Sequence, residues 1–133
     1  MKKAILFSMV CLGLSVFISS CAKKEGCTDA SALNYDSSAE KDNGTCSYKG
    51  SATFWNDAAS SLGEVAVTMA DGTTGTITSD YASAPSCGAA ATFTYLAKPG
   101  TYSYTADGTT VGGGTWSGTV TITSKGCTTV RLY

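Results

Sequence analysis

The 133-residue sequence has no histidine, only two prolines and few charges, with 14% of its residues Asp, Glu, Lys or Arg. Without histidine neither a Ser–His nor a Cys–His nucleophile can be assembled, and the commonest general base is missing. After residue 20 no apolar run approaches the ~20 residues a membrane-crossing helix needs. Nor does any segment there sustain the 3.6-residue repeat of an amphipathic helix. Basic charge is scarce too: nine Lys and Arg stand against ten Asp and Glu, which leaves no electrostatic footprint for nucleic acid. The glycine run "VGGGTW" (111–116) lacks the Lys and the strand–helix context of a phosphate-cradling loop and reads as a hairpin tip.

The address is written at the start. Residues 1–20, "MKKAILFSMVCLGLSVFISS", run from Lys2 and Lys3 through an apolar stretch to small residues, the pattern of a secretory signal peptide. The next residue is Cys21, and "ISSC" resembles the lipobox of bacterial lipoproteins. That resemblance implies removal of residues 1–20, a diacylglycerol thioether on Cys21 and an acylated amino terminus. The expected localisation is the cell envelope, as an outer-membrane lipoprotein. Several acyl chains, at ~0.8 kcal/mol per buried methylene, hold a protein on a membrane without a spanning helix. Ordinary cleavage near Ser20, releasing a free secreted protein, is the alternative. The tether that follows (21–26) contains "AKKEG", similar to signals that carry some Bacteroidota lipoproteins to the cell surface; a plain hydrated spacer accounts for it equally.

Six cysteines are present. Cys11 falls in the discarded apolar run and Cys21 is the expected lipid carrier. The remaining four, Cys27, Cys46, Cys87 and Cys127, form an even set in an exported chain and argue for two disulfides. Sequence proximity favours Cys27–Cys46, leaving Cys87–Cys127. Each closure contributes about 3–4 kcal/mol on the chain-entropy model.

The segment 27–46 carries Asp29, Asn34, Asp36, Asp42 and Asn43, with Glu40 among them. Oxygen ligands in this density suit calcium, and Asp29, Asn34, Asp36 and Asp42 are the candidate set. The spacing is not that of an EF-hand loop. The same residues are turn formers that cap their own backbone, so a disulfide-closed, turn-rich microdomain centred on Leu33 and Tyr35 is the leading expectation. The pattern "GCTDASALNYDSSAEKDNGTC" resembles a short element, often repeated, of extracellular flavobacterial proteins; this sequence has one copy.

From 47 to 133 the chain is rich in Thr, Ser, Gly and aromatics. Alternating runs predict strands at 51–56, 64–70, 73–79, 91–97, 100–106, 114–124 and 127–133. Val65, Val67 and Met69 share one face. Trp116, Val120 and Ile122 share another, with Thr115, Ser117, Thr119, Thr121 and Thr123 opposite them; Val130 and Leu132 point inward. About seven short strands predict an all-β fold, a small antiparallel β-sandwich. Its core is expected from Phe54, Trp55, Phe93, Tyr95, Tyr102, Tyr104 and Trp116. The stretch "TFTYLAKPGTYSYTA" resembles strand–Pro-Gly–strand segments of transthyretin-like and collagen-adhesin B-type sandwich modules, which implies fold and not function.

The expected role is non-enzymatic binding of an envelope protein or a glycan by a membrane-anchored module. Tyr81, Trp55 and Trp116 are the candidate binding rings, with Tyr102 and Tyr104 beside them, although strand aromatics in so small a sandwich mostly go to the core. A structural subunit of a surface assembly, joined through a sheet edge, is the second reading. No cofactor is expected beyond calcium. An enzyme would have to pair carboxylates among Asp57, Glu64, Asp71, Asp80 and Asp107, residues that mostly sit in predicted turns.

Overall fold

The computed structural model describes residues 22–60, 63–109 and 113–132. The expected signal peptide and Cys21 lie outside them. The described chain is all-β. A first pair, β1 (Glu25–Gly26) and β2 (Lys41–Asp42), is parallel and belongs to the small N-terminal unit. The sandwich follows with β3 (Gly50–Asp57), β4 (Val65–Met69), β5 (Thr74–Ile77), β6 (Asp80–Tyr81), β7 (Phe93–Ala97), β8 (Gly100–Gly108), β9 (Thr115–Ile122) and β10 (Cys127–Leu132). All seven predicted strands of the sandwich are present; the two-residue β6 was not expected.

One sheet is antiparallel throughout, in the order β5-β4-β8-β9. The other is mixed, which corrects the expectation of a wholly antiparallel sandwich. β3 pairs in parallel with β10, from Cys127↔Ser51 to Leu132↔Asn56. Its opposite edge is shared by β7, antiparallel over Gly50–Phe54, and by β6, parallel at Asn56 and Asp57. Side-chain alternation reports a strand's two faces and says nothing about the direction of its neighbour. Only a short connection forces an antiparallel pair, and β3 and β10 are separated by nearly the whole domain.

The inner faces of both sheets close on one core. Ala52, Phe54, Tyr95, Ala97 and Leu132 come from the mixed sheet; Val65, Val67, Met69, Ile77, Ala106, Val120 and Ile122 come from the other. Phe93, Tyr102, Tyr104, Trp116 and Val130 pack against them half-buried. Phe54 is the hub, stacked on Phe93 at 5.7 Å and meeting Tyr104 edge-on at 4.9 Å. Such pairs add ~0.5–1.5 kcal/mol each beyond the area they bury. Two glycines make room for these rings. A Cβ on Gly75 would fall inside the Phe93 ring, and one on Gly118 would stand 2.8 Å from the Tyr104 Oη.

Trp55 departs from the expected core. It is buried but belongs to the outer side of the mixed sheet, because it follows Phe54 and neighbouring strand residues face opposite ways. The β3 part of that outer side lies under the connection from β6 to β7, residues 82–92, while Leu96, Thr129 and Arg131 on the flanking strands stay exposed. The Cys87–Cys127 disulfide ties this loop to β10, with Cα atoms 6.4 Å apart. Inside the tie, the Gly88 N–H donates to Thr53 Oγ1 at 3.2 Å, and Thr53 shares a hydroxyl bond with Thr94 at 3.0 Å. Arg131, the register partner of Trp55, reaches along the strand to Asp57 at 2.7 Å.

The N-terminal unit is closed by Cys27–Cys46, Cα atoms 4.9 Å apart. Leu33 and Tyr35 are not its centre, as they are 38% and 47% exposed; Cys27 and Ala32 are the buried residues. A loop of this size has too little chain to enclose a large side chain, so the disulfide itself is the core. Tyr48 joins the unit to the sandwich. Its backbone N–H donates to Ser124 Oγ at 2.9 Å, its Oη donates to Asp29 Oδ2 at 2.6 Å, and Lys125 Nζ lies 3.6 Å from its ring centroid.

Candidate functional site

The outer face of the antiparallel sheet differs from that of its partner in being uncovered and chemically uniform. Register places Thr76, Ala66, Asp107 and Thr115 in one row across the four strands, and Thr74, Thr68, Thr105 and Ser117 in the next. Ser103 with Thr119 and Thr101 with Thr121 continue it on β8 and β9. Every one of these residues is exposed. The cause is the period-2 alternation. The odd positions of β4 and the even positions of β8 and β9 fill the core, so the intervening Thr and Ser stand outward on strands ~4.8 Å apart. Threonine suits both demands, since β-branching favours the strand and the hydroxyl tolerates water.

The middle of this face is concave. An open trough of about 450 Å³ runs across β4, β8 and β9, lined by Thr68, Ser103, Thr105, Ser117 and Thr119 with Met69, Ala70, Tyr104 and Gly118. None of the five Thr and Ser hydroxyls in the lining makes a side-chain hydrogen bond to another described residue. Their neighbours at either end do. Thr101 and Thr121 share a bond at 3.2 Å, and Thr115 Oγ1 donates to Asp107 at 2.7 Å.

The predicted binding rings are not assembled into one surface. Trp55 is only 5% exposed, on the covered side of the mixed sheet. Tyr81 is half-buried and its Oη donates to the Ala90 carbonyl, so it helps fasten the covering loop. Trp116 faces inward against Gly108 and Gly114. Tyr102 also faces the core and donates to the Lys98 carbonyl at 3.0 Å, while Tyr104 packs on Phe54.

The candidate calcium residues are occupied by turn chemistry. Asp29 accepts from the Ser31 N–H and hydroxyl at 2.9 and 2.7 Å. Asp36 does the same for Ser38, and Asp42 accepts from the Gly44 N–H at 2.9 Å. Asn34 bridges two strands of loop, donating to the Thr45 carbonyl and accepting from the Ser47 N–H, both at 2.8 Å. Among the described residues no three His, Cys, Asp or Glu side chains gather as a metal-binding group. The Tyr48 hydroxyl and then the Ser31 donors hold the Asp29 carboxyl down at about 2. Asp36 is held well below the carboxylate range, first by Lys24, 2.8 Å away, and then by Ser38.

Three of the five acids of the sandwich, Asp57, Asp71 and Asp107, are committed in the same manner. Asp57 caps Ala59 at 2.8 Å besides pairing with Arg131. Asp71 caps Thr73 at 2.9 Å and accepts from the Tyr95 Oη at 2.8 Å. Burial first, and Asp71 second, push the Tyr95 phenol up to about 12.

Sequence reasoning found the Thr face of β9 without assembling the sheet-wide array. The signal was the repeated Thr-x-Thr or Ser-x-Thr alternation of 74–76, 101–105 and 115–121; the missing information was register. No family model, curated protein or solved structure matches the chain.

Proposed function

We propose that this chain is an exported lipoprotein, anchored at the cell envelope through Cys21, whose sandwich is a non-enzymatic binding module for an envelope protein or glycan. The observation that carries the reading is the asymmetry of the two outer faces. One is covered at its centre, over Thr53 and Trp55, by a disulfide-tied loop, with Leu96, Thr129 and Arg131 exposed on its flanking strands; the other is an open array of Thr and Ser with a trough at its centre. A fold that invests a disulfide and 11 residues of loop (82–92) in covering one face leaves the second available for contact. The committed carboxylates and the lack of histidine support a binding role over a catalytic one.

Two features support the anchoring part: the lipobox-like "ISSC" ahead of Cys21, and the Tyr48 junction, which holds the sandwich against a disulfide-closed base instead of a loose tether. The test is palmitate labelling together with protease shaving of intact and lysed cells carrying a C-terminally tagged chain. Label that disappears in Cys21→Ala, with tag lost from intact cells, is the result expected for a surface module. Tag lost only after lysis places binding in the periplasm. An unlabelled protein in the soluble fraction would overturn the anchor.

A further inference from the structure

The geometry of the trough points to its ligand, and we propose that it takes a short segment of neutral glycan. The inference rests on the binding-module reading above and names its ligand class. About 450 Å³ lies within the range of small-ligand sites, enough for a few sugar units along the strands.

The lining excludes the other common classes. No trough residue carries a charge, so phosphates, acidic polysaccharides and basic peptides would lose hydration without gaining a counter-charge. The trough has no row of open rings for stacking: Tyr104, the one aromatic residue in its lining, is half-buried and meets Phe54 edge-on. The backbone groups of β4 and β8 are spent on the sheet ladder, so a peptide cannot add there as another strand.

What the trough does offer is five Thr and Ser hydroxyls without partners among the described residues, three of them carried beside a methyl group on Thr68, Thr105 and Thr119. A neutral pyranose is the complement, since each of its hydroxyls both donates and accepts while its C–H face meets methyl groups. The two shorter residues, Ser103 opposite Thr119 and Ser117 opposite Thr105, lie on one diagonal and leave depth for the ring. Without an aromatic platform each site is weak, with a dissociation constant on the order of millimolar. Many copies on one membrane would raise the effective affinity by ~10²–10⁴.

The experiment is affinity electrophoresis of the full-length, detergent-solubilised protein through gels cast with laminarin, mannan, galactan or dextran, beside gels cast with alginate. The expected result is retardation by at least one neutral polymer and none by alginate. Ser103→Glu and Ser117→Glu each abolish it. Thr105→Val, which keeps the shape and removes one hydroxyl, weakens it about five-fold. Thr129→Val, on the other sheet's outer side, leaves it unchanged. Thermal melts of each variant verify folding, and the valine variant carries the test if a glutamate variant melts early. Retardation by none of the neutral polymers, or retardation that survives both glutamate variants, overturns the proposal. The same proteins are applied to isolated cell envelopes. Envelope binding that Ser103→Glu removes, without retardation by any polymer, sinks the glycan and spares the binding module. Binding to neither sinks both.

Discussion

Removing the Cys87–Cys127 disulfide tests whether the covered face is held by covalent closure or by its own contacts. The bridge spans 40 residues. On the chain-entropy model a loop of that length withdraws about 4 kcal/mol from the unfolded ensemble, against about 3 kcal/mol for the 19-residue Cys27–Cys46 closure. Both Cys87 and Cys127 are exposed, so Cys87→Ser with Cys127→Ser leaves no buried cavity and isolates the closure effect. Urea unfolding of the double variant should therefore lose about 4 kcal/mol, close to a 15 °C fall in melting temperature for a domain of this size. Locally, the loop keeps the Gly88 bond to Thr53, the Tyr81 bond to Ala90, the Thr78 N–H bond to the Ala91 carbonyl at 3.0 Å and its own turns. Hydrogen exchange at Gly88 should accelerate toward the rate of an open loop while β4, β8 and β9 stay protected. A loss below about 1 kcal/mol with Gly88 still protected would refute the reasoning, since the loop would then be held by hydrogen bonds alone.

Two further perturbations test the packing and the base. Gly75→Ala drives a methyl group into Phe93, and overpacking of this kind costs about 1–3 kcal/mol; a thermal melt unchanged to within a degree would contradict the packing described. The Asp29 carboxyl, held at about 2 against an ordinary ~3.9, stabilises the junction at neutral pH. That contribution is present above ~4 and is lost as pH falls toward 2. Tyr48→Phe should flatten this acid dependence in the melting temperature measured between pH 5 and 2, and an unaltered profile would show that the Tyr48–Asp29 bond is not its source.

The strands were legible because the alternation is strong. Val65, Val67 and Met69 are all buried, with Ala66 and Thr68 exposed between them. The disulfide pairing was legible too, from compartment and proximity. What could not be read was anything set by long-range register. The parallel β3–β10 pair leaves no local trace, and the two-residue β6 is too short to have a period. Trp55 illustrates a different limit. Hydrophobicity marked it for burial, correctly, but alternation with Phe54 put it on the far side of its sheet, where it is still only 5% exposed. Leu33 and Tyr35 failed for the opposite reason, since their segment has too few neighbours to bury them.

The acidic segment and the Thr array share one physical logic. In 27–46 Asp29, Asp36, Asp42 and Asn43 each turn back on their own chain two residues ahead, as Asp29 does to Ser31 and Asn43 does to Thr45 at 3.0 Å. Such side chains stabilise turns by satisfying their backbone donors locally, and a ligand that claimed them would have to replace those bonds. A strand cannot turn its side chains back in this way. Its backbone is consumed by the ladder, and a threonine on its outer face must find a cross-strand partner, as Thr101 finds Thr121, or a partner from outside. The Thr and Ser side chains of the trough, like those of Thr74 and Thr76 on β5, find no such partner among the described residues. The Thr and Ser hydroxyls without a partner among the described residues therefore direct attention to the sheet.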